Sequence, residues 1–464
     1  MKVSRLLYAL LLGGLLAAPA FAFQVDVHGD FKNRLMYSNQ AELFDVFSEP
    51  GIQYVNVTNA QIRNLTGLVS GVPLDTRKRA NDSDFFGEIK YRLWFNATDD
   101  DKKVKGVLGF EFGGRKFGQV GGLDFAGDDN IFEFRWGYVD FEVPFDPASH
   151  LSVGLMPVGY NAYFWNDNAP GVKWAAQRGD LEYSLGWWRN DVTNGGTGRD
   201  AKNTNDDVYV LDAAYKFAPG HRLYGFAAYG EFGQEALFSP DFVTPVVSEA
   251  MDQIYWLGLS GEGQSGRLFY GATAIYQTGE IDAATGLTFA PGNRNTLDRD
   301  AYLLNAEASY ALERGRATAG WLYASGDSSQ TDGDVNNYHS LEAYLENIGS
   351  QVFSGYWADD NYMIGSNYFL DRGFNVPYLN ATFNVTDKFS VGGGYFYWST
   401  AAEVIHDKEL GHEINARVEY AVTKGLTTGL NAGYLFGGKA WDELAIDGHG
   451  DNVFRSEASV RLTF

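Results

Sequence analysis

Hydrophobic and polar residues alternate one by one through much of this chain. In residues 85–97, Tyr91 and Leu93 lie on one side of an extended backbone, while Lys90 and Arg92 lie on the other. Residues 452–464, the last of the sequence, repeat this alternation. Because successive side chains of a β-strand point to opposite faces, the pattern predicts strands with one apolar and one charged face.

The same pattern predicts about 18 strands of roughly ten residues, the length that crosses a bilayer. The predicted strands are residues 24–37, 85–97, 104–112, 131–143, 150–155, 172–177, 181–190, 207–217, 222–232, 251–261, 267–279, 299–312, 316–326, 374–386, 389–400, 412–423, 426–437 and 452–464. Residues 172–177 are few, and residues 251–261 are apolar on both faces, so 16 strands is the alternative. In residues 131–143 the alternation changes phase, which predicts a β-bulge near Gly137.

Connections of two lengths follow one another along the chain. Short ones such as residues 98–103, 313–315 and 424–425 alternate with long ones such as residues 38–84 and 327–372. Short turns at one rim and long loops at the other are typical of outer-membrane barrels. The predicted fold is therefore all-β, a transmembrane antiparallel up-and-down barrel with periplasmic turns and extracellular loops.

The amino terminus has the features of an export signal. Lys2 and Arg5 precede an apolar run, and Ala20-Phe21-Ala22 provides small residues for cleavage. The run is shorter than the ~20 residues that a helical span needs. We predict a signal peptide over residues 1–22 and one barrel domain over residues 23–464.

Composition agrees with a barrel and argues against other classes. Aromatic residues make up 16% of the chain, yet mean hydropathy is only −0.26, because a barrel places apolar residues at alternate positions. The formal net charge of −23 disfavours a nucleic-acid partner. With 0 cysteines, no disulfide framework holds the fold.

Two segments resemble motifs of cofactor or metal binding, but each has a simpler structural interpretation. Residues 261–266 match G-x-G-x-x-G, but a strand follows them where a nucleotide site needs a helix. The acidic residues 327–334 lack the spacing of an EF-hand, which favours a solvated loop over a Ca²⁺ site. We therefore predict no catalytic residue, metal or cofactor, and no enzyme activity.

A candidate pore constriction comes from residues 156–174. This segment follows the fifth predicted strand and contains Tyr160, Trp165 and Asp167. It is expected to fold into the barrel and face a wall formed by the basic residues Arg34, Lys90, Arg92 and Arg135. Opposite charges across a water-filled pore would orient dipolar solutes. The alternatives are an ordinary external loop and basic residues that only hydrate the lumen.

The alternating strands, the terminal Phe464 and the position of residues 156–174 resemble the Gram-negative general porins. Residues 23–38, 85–114 and 456–464 are similar to the outer-membrane homotrimeric porins of sulfate-reducing bacteria. The PEFGG-type signature of the enteric porins' constriction loop is absent. The resemblance implies a homotrimer for passive diffusion of small hydrophilic solutes and ions, in contact with outer-membrane lipid and lipopolysaccharide.

Three other functions fit parts of the sequence. Tyr160, Tyr163, Trp165 and Trp174 would suit a sugar-selective porin, because aromatic rings stack on sugar faces. An outer-membrane enzyme would need a Ser-His pair on the lipid face, which the alternation does not provide. A surface adhesin would bind through the long loops, residues 38–84 and 327–372.

Overall fold

The structure is a computed structural model. It describes residues 23–39, 84–116, 132–192, 205–234, 237–238, 245–246, 250–282, 296–328, 334–341, 348–353, 372–404, 406–444 and 452–464. The predicted signal peptide, residues 1–22, and most of the two longest loops lie outside these ranges. No helix within them is both long enough and apolar enough to cross a membrane.

Eighteen antiparallel strands form one closed barrel, which confirms the predicted fold class and excludes the alternative of 16. The first nine are β1 (Gln24–Ser38), β2 (Asp84–Thr98), β3 (Val104–Lys116), β4 (Phe132–Val143), β5 (Asp146–Asn161), β6 (Trp165–Arg178), β7 (Leu181–Val192), β8 (Asn205–Ala218) and β9 (His221–Gln234). The others are β10 (Ala250–Ser265), β11 (Leu268–Asp282), β12 (Thr296–Leu312), β13 (Gly315–Ala324), β14 (Phe374–Asn384), β15 (Phe389–Ser399), β16 (Glu409–Thr423), β17 (Leu426–Gly437) and β18 (Val453–Thr463).

Shorter elements accompany the wall. A six-residue helix, α1 (Lys439–Leu444), lies between β17 and β18. Asp334–Val335 pairs with β12, and Leu237–Phe238 pairs with Pro245–Val246. Every pair of consecutive barrel strands is antiparallel, as an up-and-down barrel requires.

The barrel closes where β1 pairs with β18. Lys32 lies opposite Arg461, and Gly29 exchanges two backbone hydrogen bonds with Phe464, of 2.9 and 3.0 Å. The aromatic ring of Phe464 covers Gly29 and meets Phe31 edge-on at 5.5 Å. The start of β1 and the end of β18 therefore lie at the rim of short turns, and every described barrel strand is paired on both sides.

The outer face carries the apolar series of each strand. Its exposed side chains include Val25, Leu35, Leu185, Leu211, Leu257, Leu259, Leu379, Ile414, Leu430 and Val460. Charged residues such as Lys32, Arg92 and Glu111 occupy the opposite, inner face. Burying this outer surface in lipid satisfies the hydrophobic effect, while the closed sheet satisfies the backbone hydrogen bonds.

The bulge in β4 lies two residues before its predicted place. Gly109 on β3 pairs with Trp136, and Phe110 pairs with Phe134, so Arg135 is the extra residue rather than Gly137. Arg135 bonds Glu111 on the inner face, and Trp136 donates its indole N–H to Asn168. The bulge therefore directs two consecutive side chains into the barrel, whereas the alternation had placed Trp136 outside.

The alternation predicted an inner face that is polar throughout, but part of this face is apolar in the structure. On β7 to β18, the half nearer the long loops presents buried apolar residues, among them Trp188, Phe226, Ile254, Trp256, Leu303, Val376, Phe396, Trp398, Leu435 and Val453. This explains why β10 reads as apolar on both faces: Leu257 faces lipid, and Trp256 faces inward. Such a wall needs further protein inside the barrel to cover it.

Candidate functional site

Four basic residues predicted for the pore lie together on the inner wall. Arg34 is on β1, Lys90 and Arg92 are on β2, and Arg135 is on β4. We call these four the basic wall. Antiparallel pairing of β1 with β2 and of β2 with β3 brings them onto neighbouring rungs of the sheet.

One carboxylate is shared by three members of the basic wall. Glu111, on β3 between β2 and β4, lies 2.6 Å from Arg92 Nε and 3.4 Å from Lys90 Nζ, and it also bonds Arg135. It is only 5% exposed. Three cations therefore share this one carboxylate. The sequence places Glu111 on the inner face, but the alternation alone does not reveal that it joins three strands.

Arg34 has its own acidic partners. Its guanidinium bonds Glu88 on β2 at 2.9 and 3.0 Å and lies 3.5 Å from Glu457 on β18. Near Arg34, Arg461 makes a bidentate ion pair with Asp30, with hydrogen bonds of 2.8 and 3.0 Å. These pairs connect the first, second and last strands, so the charged wall also helps to close the barrel.

Residues 156–170 leave the barrel wall as a hairpin. Pairing between β4 and β5 ends at Leu155, and pairing between β6 and β7 ends at Gly171. Between these points the ends of β5 and β6 pair only with each other, from Met156 opposite Ala169 to Asn161 opposite Trp165. We call this part the inner hairpin. The expected loop is thus an extension of two strands with a tight turn at residues 162–164.

The tip of the inner hairpin reaches strands β9 and β10. Asn161 donates a hydrogen bond of 3.1 Å to Ser260, an inward-facing residue of β10. Phe164 is fully buried and stacks on Phe226 of β9, with ring centroids 4.7 Å apart. Asn168, nearer the base, accepts a hydrogen bond from Trp136 of β4. The hairpin therefore lies inside the barrel and has contacts from β4 to β10.

The two predicted aromatic site residues pack against the wall. Tyr160 accepts a hydrogen bond of 2.7 Å from the indole of Trp188, and Trp165 packs edge-on against the same indole at 6.0 Å. Trp165 is 0% exposed and Tyr160 is 8% exposed. Neither ring offers an open face to a solute.

The other face of the inner hairpin is open. Pro157, Gly159 and Asn166 are exposed, and Asp167 is half-buried beside them. Within the described residues, Asp167 accepts only a long hydrogen bond of 3.4 Å from Asn168 and forms no ion pair. The structure thus groups Tyr160 and Trp165 at the wall, and it places Asp167 on the β6 limb of the hairpin.

A second inserted segment lies in the connection between β13 and β14, where the sequence predicted an external loop at residues 327–372. The structure describes residues 334–341 and 348–353 of it. Tyr338 donates a hydrogen bond of 2.8 Å to the carbonyl of Tyr163, and Leu341 N donates one of 2.9 Å to the carbonyl of Phe164. This segment holds the tip of the inner hairpin. The sequence signal was the apolar residues on the inner phase of β10 and β15.

Below the inner hairpin, toward the short turns, the barrel encloses a cavity of 1490 Å³. Gly159, Tyr160 and Asn161 line it from the hairpin side. Its walls carry charges of both signs, among them Lys173, Asp212, Arg222, Glu307 and Arg316. Among the described residues, no group of three or more His, Asp or Glu side chains is arranged to hold a metal ion.

Comparison with known proteins identifies the architecture. No protein-family model matches the sequence, and no curated protein matches it. Many solved structures are similar, and three of them serve as examples. OccK8 (OprE) of Pseudomonas aeruginosa has a TM-score of 0.54 at 11% identity, covering 95% of this chain and 98% of its own. The BenF-like porin of Pseudomonas fluorescens Pf-5 has a TM-score of 0.52 at 13% identity, covering 96% of this chain and 100% of its own.

The third is OpdK of Pseudomonas aeruginosa, solved with vanillate, which has a TM-score of 0.51 at 13% identity and covers 95% of this chain and 98% of its own. The fold is that of outer-membrane porins. The match runs over the whole described barrel, so the predicted porin architecture is confirmed at the level of the fold.

Proposed function

We propose that this protein is a porin, a water-filled channel for passive diffusion of small hydrophilic solutes and ions across the outer membrane. One observation carries the proposal: a closed barrel of 18 strands has an apolar outer face and charged side chains within. Barrels of about eight strands are filled by their own side chains, whereas those of 16–18 leave an aqueous lumen. The cavity of 1490 Å³ below the inner hairpin supports such a lumen.

Location and assembly belong to the same proposal. Residues 1–22 would direct export, and the apolar outer face would contact outer-membrane lipid and lipopolysaccharide. The proposed homotrimer rests on the resemblance of the sequence to the homotrimeric porins of sulfate-reducing bacteria. Light scattering of the purified protein in detergent tests it, and a mass of one chain would contradict it.

We propose that the inner hairpin and the basic wall form the constriction of the channel. The hairpin lies inside the barrel with contacts from β4 to β10, and its open face carries Asp167. Three of the four cations of the basic wall share the single carboxylate of Glu111. Together they would set up a transverse field that favours anions at the narrowest point.

Reconstitution in planar bilayers tests the channel. The expected result is stepwise conductance, with a reversal potential in a salt gradient that indicates anion preference. Liposome swelling with sugars of increasing size would give the exclusion limit. A protein that is folded by its gel mobility and yet produces no conductance steps would overturn the proposal.

The structure bears on one of the alternative functions, the sugar-selective porin, more than on the adhesin. A sugar-selective porin that stacks solutes on Tyr160, Tyr163 or Trp165 is disfavoured, because these three rings are buried. The fourth candidate, Trp174, is half-buried and packs edge-on against Tyr183 at 5.5 Å. Block of the ion current by oligosaccharides at low concentration would nevertheless favour a sugar-selective porin. The loops that an adhesin would use, residues 38–84 and 327–372, lie mostly outside the described residues.

A further inference from the structure

Residues 348–353 cover the apolar inner wall of β14 to β17. Ile348, Val352 and Phe353 are each 0% exposed, and Phe353 packs on Trp398 of β15 with ring centroids 4.3 Å apart. A side chain at Gly433 of β17 would meet this segment, because its Cβ would lie 2.9 Å from Cβ of Gln351. We call residues 348–353 the wall segment.

The wall segment forms none of the strand pairs of the barrel, so its backbone groups need other partners. Glu413 of β16, which is 0% exposed, supplies them. Its Oε1 accepts hydrogen bonds from the backbone N–H of Gln351 at 2.7 Å and of Val352 at 3.2 Å. Its Oε2 accepts one of 2.6 Å from the hydroxyl of Ser350.

Two inner asparagines complete this arrangement. Asn415 donates from Nδ2 to the carbonyl of Gly349 at 3.0 Å and to Glu413 Oε1 at 3.0 Å. Asn380 of β14 donates to the carbonyl of Ile348. Polar side chains of the wall thus replace the strand partners that the segment does not have.

Both oxygens of the Glu413 carboxyl group have hydrogen-bond partners. The indole of Trp398 donates a further bond of 3.1 Å to Oε2. No basic side chain among the described residues lies within ion-pair distance of Glu413, so neutral groups alone surround this carboxyl group. An amide here would turn its own N–H₂ against donors, whichever way it was flipped.

We propose that Glu413 is a positioning residue that sets the width of the channel by holding the wall segment against the inner wall. The inference rests on the proposed channel function. The wall segment belongs to the same connection between β13 and β14 as residues 334–341, which bond the tip of the inner hairpin. Its release would therefore also loosen the constriction.

The test compares Glu413→Gln with Glu419→Gln. Glu419 lies on the same strand and the same face of the wall, so both variants replace an inward-facing carboxyl group by an amide. In planar bilayers, E413Q should raise open-channel conductance by about twofold with added current noise, because conductance follows the open cross-section. The solute-size limit in liposome swelling should rise with it. E419Q should keep the wild-type size limit.

A cross-link then separates the effect of displacing the wall segment from the effect of losing the Glu413 carboxyl group. The chain has 0 cysteines, so a pair introduced as Gln351→Cys and Gly433→Cys is unique. Disulfide-bonded Cβ atoms are about 3.5–4.5 Å apart, which a small shift of the segment provides. In the E413Q background, oxidation should restore the wild-type size limit and quiet current, and reduction should remove them. If E413Q alone does not fold, the comparison is made between the oxidised and the reduced form of the cross-linked E413Q chain.

The outcomes are distinct. Wild-type protein without conductance would overturn the proposed function itself. Conducting wild-type protein, with E413Q equal to E419Q in size limit and noise, would overturn the role of Glu413 alone. Failure of the oxidised cross-link to restore the size limit would do the same.

Discussion

Gly154 and Gly171 face one another across β5 and β6, at the point where the inner hairpin leaves the barrel wall. Gly154 has a φ of +131°, and a Cβ there would clash with the carbonyl of Gly137 on β4. A Cβ at Gly171 would clash with the carbonyl of Trp187 and lie 2.6 Å from the ring of Trp188. The two strands can bend away from their neighbours because neither residue has a side chain at this place.

Gly154→Ala and Gly171→Ala should therefore disturb the base of the inner hairpin. Each is expected to cost roughly 1–3 kcal/mol, the usual scale of strained backbone. Urea unfolding in detergent measures the loss, and bilayer current should become noisier. Gly225→Ala is the matched control, because the nearest atom to its Cβ would be at 3.5 Å, an ordinary contact. Equal effects of all three changes would argue against a special role for the bend.

Glu111→Gln should increase anion preference. The change frees three cations of the basic wall from their shared carboxylate. A unit charge at about 10 Å in water changes the energy of an anion and that of a cation by about 0.4 kcal/mol each, in opposite directions, so the permeability ratio of anions to cations should rise about fourfold. Arg135→Gln should shift it in the opposite direction. Reversal potential in a salt gradient measures both.

The control for this charge change is Glu313→Gln, in the exposed turn between β12 and β13. It removes the same charge at the rim, where salt screens it. If E313Q moved the reversal potential as far as E111Q, the basic wall would not be the selective part of the channel.

Acid should loosen the second inserted segment through His339. Burial, with the nearby Arg299 as a second cause, lowers the pKa of His339 to about 3. In a released segment the imidazole would have its ordinary pKa of about 6.5. The released form therefore binds more protons between these values, and docking weakens as pH falls from about 6.5 towards 3, while it is unaffected above 6.5.

Current noise recorded from pH 8 to pH 4, within the range that about 6.5 and 3 define, should rise on acidification and fall again on return. His339→Gln should remove most of this dependence. His221→Gln, at the short-turn end of β9, should leave it in place. A pH response that survives H339Q would assign it to another group.

Gly29→Ala should weaken barrel closure. The ring of Phe464 occupies the space that a Cβ would need, so the extra methyl group is expected to cost about 1–3 kcal/mol. Phe464→Ala in the same chain should recover part of that loss, because it removes the obstructing ring. The coupling energy from the four chains, measured by urea unfolding, should be clearly different from zero. Gly106→Ala, with open space around its Cβ, is the control.

The sequence by itself determined the wall of this protein. Alternation such as that of Lys90, Tyr91, Arg92 and Leu93 is local, and it was sufficient for 18 strands, the outer face and the inward basic residues. It is sufficient because the pleat of a strand gives each side chain its face without help from distant residues.

Only the tertiary structure decided what fills the barrel. Trp256 and Trp398 look like lipid-facing residues in sequence, yet they face inward and are covered by inserted segments. Glu413 reads as one more polar residue of a strand, although it accepts hydrogen bonds from residues more than 60 positions away. The two-residue alternation of a strand indicates which face of the sheet each side chain is on. It does not indicate whether water, lipid or a distant part of the chain lies against that face.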